Sequence, residues 1–336
     1  MYRVAADKFI LNITFAWEHA VAITDNNDAG KLVSHRFPQF SFNPKLKPHF
    51  FKYLMLDKKF REHLELSSPG GAGRNRVLKI SDMLKYEIKL PSIEEQIKIG
   101  EYFDSLDHLI TLHQRKCEQT KKLKKYMLQK MFPQNGAKVP EIRFDGFTYD
   151  WEQRKLIDYL EVSSEKNRDN RFTKEDVLSV SGEYGIVNQI EFQGRSFAGA
   201  SVSNYGVVEN GDVVYTKSPL KSNPYGIIKT NKGIPGIVST LYAVYKPKEI
   251  TDSKFVQIYF ELDSRMNSYM HPLVNKGAKN DMKVSAENAL KGMVSFPKKD
   301  EQEMISLYFS TLDHLITLHQ RQTDFYKKPN FYFISS

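Results

Sequence analysis

The chain has 336 residues, 49 Lys+Arg against 40 Asp+Glu for a formal charge of +9, and 40% hydrophobic and 12% aromatic residues. That apolar content excludes wholesale disorder, and the length points to about two domains. A single cysteine, Cys117, excludes an internal disulfide framework or a cysteine-built zinc site and suits a reducing compartment.

The opening MYRVAADKFILN lacks the basic head, apolar stretch and cleavage site of an export signal. No apolar run approaches the roughly 18 residues that span a bilayer, so a cytoplasmic location is expected. Lys8–Leu11 reads as a strand and 47–56 as a helix. A long helix is predicted from Ser92 to Met131. Its positions Phe103, Leu106, Ile110, His113, Cys117 and Thr120 alternate spacings of three and four, the seam of a coiled coil. Ser92 with Glu95 forms a capping box behind Pro91. Residues 150–298 hold short β-like runs at 211–215, 226–228 and 241–245, punctuated by Gly, Asn and Pro turns. One helix is predicted from Ser253 to Met270, with Phe255, Ile258, Tyr259 and Leu262 on one face. A second long helix starts near Asp300, boxed with Glu303, and frays near Pro329.

The organisation is a duplication. Residues 106–115 and 312–321 both read LDHLITLHQR, an offset of 206. At that offset Pro91 matches Pro297, Glu95-Gln96 matches Glu301-Gln302, and Phe103 matches Phe309. Lys8–Leu11 stands where Asp212–Tyr215 stands, so residues 1–90 read as the later part of the unit seen at 134–298. The fold class is α+β. Two β-rich units (1–90, incomplete, and 134–298) alternate with two long helices (91–133 and 299–328) that pair as an antiparallel coiled coil, before an irregular tail at 329–336.

In these features the chain resembles the specificity subunit of type I restriction-modification systems. The resemblance lies in the helix start Leu90-Pro91…Glu95-Gln96, the lysine-rich helix end Leu128-Gln-Lys-Met-Phe-Pro133, and the inter-domain lead-in Pro140-Glu-Ile-Arg-Phe144…Trp151-Glu152. Further signatures are Ser181…Tyr184-Gly-Ile-Val187, Glu209-Asn-Gly-Asp-Val-Val-Tyr215, and Gly277-Ala278…Asn280…Val284-Ser285 with its partner Gly71-Ala72…Asn75…Ile80-Ser81. It implies two target-recognition domains that read a bipartite site on double-stranded DNA, with the helices as a ruler. It also implies modification (methyltransferase) subunits using S-adenosylmethionine and restriction (motor-nuclease) subunits using ATP and Mg, and no cofactor in this chain. The first unit departs from the pattern: no lead-in equivalent to 140–151 precedes Lys8, and the second helix lacks a lysine-rich end. An inactive or silent-cassette fragment, acting at most as a coiled-coil interaction protein, is the alternative.

For base and phosphate contacts the candidates are Lys217, Lys221, Ser222, Asn223 and Tyr225 in the loop after the 211–215 strand. The glycine turns add Lys276, Lys279, Asn280, Arg74, Asn75 and Arg76. Tyr184, Asn188 and Gln189 form a third group. The basic run Arg115–Lys130 is either a solvated face or a surface for phosphates or an acidic partner. Phe103, Leu106, Ile110, His113, Phe309, Leu312, Ile316 and His319 are the seam and docking residues, the two histidines setting register. No catalytic site is found: Asn223-Pro224-Tyr225 lacks the second proline and cofactor loop of an adenine methyltransferase, and Glu87-Ile-Lys89 lacks the Pro-Asp of a nuclease. The histidine pairs 108/113 and 314/319 are spaced five apart, which puts each pair on different helix faces and argues against a metal.

Overall fold

The computed structural model describes residues 1–70, 76–134, 136–217, 223–274 and 284–328. It divides into two compact units, residues 1–117 with 317–336, and residues 118–316.

In the first unit Lys8–Leu11 is the central strand, antiparallel to Val21–Ile23 on one side and Gln39–Ser41 on the other. Phe9 and Leu11 alternate inward, as the two-residue period of a half-buried strand requires. Phe9 meets Phe51 edge-on at 5.2 Å and Phe60 at 6.2 Å, so helices Pro48–Leu54 and Lys58–Leu66 cover that face. In the second unit the sheet order is Ile228–Thr230, Val213–Thr216, Tyr242–Pro247, Leu160–Val162, all antiparallel. All four residues of Val213–Thr216 are buried, which explains a continuous apolar run where alternation would mark an exposed face. The three-stranded sheet of the first unit repeats the first three of these strands. Gly226 closes the turn into Ile228–Thr230 at φ +83, and a Cβ there would sit 1.8 Å from the Thr216 carbonyl oxygen.

The long helices run Ile93–Lys130 and Lys299–Lys327, the second ending before Pro329. Each unit packs them antiparallel along the expected seam. In the first, Phe103 and Leu106 bury against Tyr53 and Tyr326, and His113 faces His319. In the second, Leu128 shares a core with Phe309 and Leu312. Ile110 and Ile316 are half-buried.

Two local expectations fail. Ser253–Met270 is two helices, Ser253–Tyr259 and Asp263–Met270. Leu262 is extended between them, and the Tyr259 carbonyl freed by the break accepts from Arg265 Nη1 at 2.7 Å. Asp300 does not cap the second helix from outside. The helix begins one residue earlier, and the Asp300 carboxylate accepts from the Glu301 N–H inside the first turn. The cap at Ser92 does form, its Oγ accepting from the Glu95 N–H at 3.2 Å.

One glutamine ties each long helix to its own globular unit, in the same way twice. Gln96 Nε2 donates to the carbonyls of Pro91 and Lys45, both at 3.0 Å, and its Oε1 accepts from the Lys47 N–H at 3.0 Å. Gln302 Nε2 donates to the carbonyls of Pro297 and Ile250 at 2.9 and 3.2 Å, and its Oε1 accepts from the Asp252 N–H at 2.9 Å. Both side chains are buried.

Candidate nucleic-acid interface

The exposed chemistry of the second unit gathers on the Leu178–Ser181 and Gly185–Asn188 hairpin and the short helix Gln189–Gln193 that follows it. Asn188 caps that helix. Its Oδ1 accepts from the N–H groups of Ile190 and Glu191, and its Nδ2 donates to the Glu175 carbonyl at 2.6 Å. Gln189 Nε2 donates to Ser179 Oγ at 3.0 Å, and its Oε1 accepts from the Phe197 N–H at 2.7 Å. These amides are therefore occupied in holding the hairpin, the helix and the 194–197 turn together, whereas direct base pairing would need them turned outward.

What they hold outward is aromatic and basic. Tyr184 is 62% exposed, and its ring lies 5.4 Å from that of exposed Phe192. Arg195 sits 4.6 Å over the ring of Phe197, itself exposed. Arg195, Phe192 and Phe197 were not among the sequence candidates. The signal for them is the Gln193-Gly-Arg-Ser-Phe197 run, where a left-handed Gly194 ends the helix and presents the next side chains.

Lys217, just past the buried Val213–Thr216 strand, has its ammonium pKa pulled down by burial and then by neighbouring Lys166. The carboxylate of Glu287 opposes that shift. Asn223, by contrast, is buried and donates to Asp263 Oδ1 at 3.1 Å. The Tyr225 carbonyl accepts from the buried Tyr215 hydroxyl at 2.7 Å, while its ring faces His271. Lys221, Ser222, Lys276, Lys279, Asn280, Arg74 and Asn75 lie outside the described residues. Arg76 pairs with Glu65 at 3.2 Å and covers the Trp17 ring at 5.2 Å, so Trp17 is packing.

The basic run of the first long helix divides. Lys124 Nζ reaches Glu261 at 2.5 Å and Asp313 at 2.6 Å, Lys121 pairs with Glu118, and Lys130 with Glu141. Lys122 and Lys125 are exposed, with no ion pair among the described residues.

The lead-in residues have a structural task. Glu301, with a 3% exposed side chain, accepts from Arg143 Nε at 2.7 Å and Nη2 at 2.8 Å and from Trp151 Nε1 at 3.3 Å. Trp151 then leads directly into Glu152–Lys155, a strand antiparallel to Met293–Phe296. Among the described residues no three His, Cys, Asp or Glu side chains are placed to hold a metal ion. Nor is any described helix long and apolar enough to cross a membrane.

Residues 4–122 match the family model described as the type I restriction modification DNA specificity domain. Among solved structures the chain is similar to the type I restriction-modification system S subunit from M. genitalium. The identity is 14% over 98% of this chain and 82% of that one, with a TM-score of 0.59. It is also similar to the HsdS subunit from Thermoanaerobacter tengcongensis, at 16% identity over 98% of this chain and 79% of that one, with a TM-score of 0.48. No curated protein matches the sequence.

Proposed function

We propose that this chain, whose residues 4–122 match a type I DNA specificity domain, is the DNA-recognition subunit of a type I restriction-modification complex. The observation that carries the reading is the duplicated unit. The same glutamine clamp joins each long helix to a β-rich domain, and one copy of that arrangement falls within the matched segment. Residues 1–90 and 134–298 are the recognition domains, and 91–133 and 299–328 the helices between and after them. The exposed Tyr184, Phe192, Arg195 and Phe197, with Lys166 and Lys217, are the surface of the second domain that meets DNA. Arginine and lysine there neutralise phosphates and reach base edges, and the aromatic rings supply apolar contact.

This chain supplies recognition and no chemistry. Methylation belongs to modification subunits that carry S-adenosylmethionine, and cleavage to motor-nuclease subunits that use ATP and Mg, in the cytoplasm. The test is methylome sequencing of cells with and without the gene, together with co-purification on a tagged chain. The expected result is adenine methylation at a bipartite sequence that disappears on deletion, and a modification subunit retained on the tag. An unchanged methylome with nothing retained would instead indicate an inactive copy acting only through its helices.

A further inference from the structure

In the second unit a turn and a helix end frame a cleft whose lining residues all lie outside the Tyr184–Phe197 group. Tyr225, Asn267, Ser268 and His271 line about 450 Å³ of open space. Tyr225 comes from the turn at 223–226, Asn267 and Ser268 from the helix Asp263–Met270, and His271 directly follows that helix. The turn is fixed from behind. Asn223 Nδ2 donates to Asp263 Oδ1 at 3.1 Å, tying it to the helix, and the Tyr225 carbonyl accepts from the buried Tyr215 hydroxyl at 2.7 Å. The Tyr225 and His271 rings stand 6.1 Å apart and nearly perpendicular, at 81°. Asn267 Oδ1 is shut off from water and has no hydrogen-bond partner. An acceptor left unmade in this way is a cost that turning the amide toward a ligand would relieve.

The duplication supplies an independent comparison. At the offset of 206, Met266 and Met270 answer to Phe60 and Leu64, and all four are buried and apolar. The cleft side of the same helix does not keep its chemistry. Asn267, Ser268 and His271 answer to Arg61, Glu62 and Glu65, and Tyr225 answers to His19. In the first unit Glu65 is taken by Arg76 at 3.2 Å, and His19 Nε2 lies 2.6 Å from the Met55 carbonyl oxygen. The frame is common to both units and the lining is not, as two readers of unlike half-sites require.

We propose that Tyr225, Asn267, Ser268 and His271 are specificity-determining residues that read base edges in the half-site of the second domain. The assignment rests on the DNA-recognition reading and names the side chains that set its sequence. An asparagine amide presents a donor and an acceptor side by side, the pair that matches the N7 and N6 edge of adenine. The His271 ring and the Ser268 hydroxyl each donate or accept, and the Tyr225 ring offers apolar contact to a thymine methyl group. Fixing the turn to the helix before DNA arrives holds these groups in register.

The experiment reads the methylome of cells that lack the gene and carry the full wild-type chain or a variant in its place. Duplexes bearing the wild-type target and its single-base changes then measure binding by the complex with modification subunits. Asn267→Ala should relax one A·T position of one half-site, with discrimination there falling about tenfold and the other half-site unchanged. Asn267→Asp, which keeps the shape and loses the donor, should relax the same position. His271→Ala should alter base preference within that same half-site, and thermal melts check that each variant is folded. A motif unchanged in the Asn267 and His271 variants would overturn the assignment and leave the recognition reading standing. So would a loss of affinity spread evenly over all sequences or over both half-sites. A wild-type chain that restores no methylation would instead remove the recognition reading, and this assignment with it.

Discussion

The Nδ1 atoms of His113 and His319 stand 3.1 Å apart across the helix pair of the first unit, although 206 residues separate them in the chain. They are the same position of the repeated decapeptide, and the Tyr326 ring stacks on His113 at 5.7 Å. Two ring nitrogens at that distance share one hydrogen, so one imidazole donates and the other must accept. Burial first, and then the nearby His319 and Lys116, push the His113 pKa below its ordinary 6.5.

That contact makes a pH prediction with a definite sign. The folded state favours neutral His113, so its contribution is whole above the unfolded value near 6.5. As pH falls below that value the unfolded chain takes up the proton first, and stability declines until the folded pKa is passed. Thermal melts between pH 8 and 5 should therefore show a falling midpoint on the acid side. His113→Asn should flatten that slope, and an equal slope in the variant would remove His113 as its source.

Gln302→Ala should be costly out of proportion to its size. It leaves the buried Pro297 carbonyl, the part-buried Ile250 carbonyl and the Asp252 N–H unpaired at the start of the helix. The expected loss is about 3 kcal/mol, measured by urea unfolding. Gln96→Ala should act similarly on the first unit, reported by Trp17 fluorescence.

Arg143→Ala strips the partner from a carboxylate whose side chain is 3% exposed. Breaking one side of such a pair costs about 3 to 5 kcal/mol. Trp151 touches the same carboxylate, so in a Trp17→Phe background its emission should report the loosening before global unfolding. A variant with wild-type stability would mean that residues 140–155 are held mainly by their strand.

The lysines of the first long helix should separate into two classes. Lys124→Met leaves Glu261 and Asp313 without their shared cation and should destabilise by about 3 kcal/mol. Lys122→Ala and Lys125→Ala should change stability by less than about 0.5 kcal/mol. If they meet phosphates, each should lower the slope of log affinity against log salt by about 1.

The duplication was legible because ten consecutive identities at one offset fix both helices and their seam, and the seam histidines meet as their period requires. The break at 260–262 was not, because Phe255, Ile258, Tyr259 and Leu262 keep a helical period across it, and the Arg265 guanidinium that takes up the freed Tyr259 carbonyl comes from the next helix. Asn223, Asn188 and Gln189 looked like base readers because their amides suit either purpose. Only the fold shows the acceptors and donors that occupy them. The task of Arg143 is not legible in the sequence, since its partner Glu301 is 158 residues away.

The glutamine clamps read main chain and nothing else. Beyond the proline carbonyl at the helix start that both share, Gln96 bonds the peptide groups of Lys45 and Lys47, and Gln302 those of Ile250 and Asp252, so the domain sides of the two sockets have no side chain in common. Any domain whose backbone follows the same path at that corner would fit the same helix, whatever residues it carries on its surface. The joint thus leaves sequence free to drift in the domain while fixing the domain to its helix, and a change of surface need not disturb the attachment.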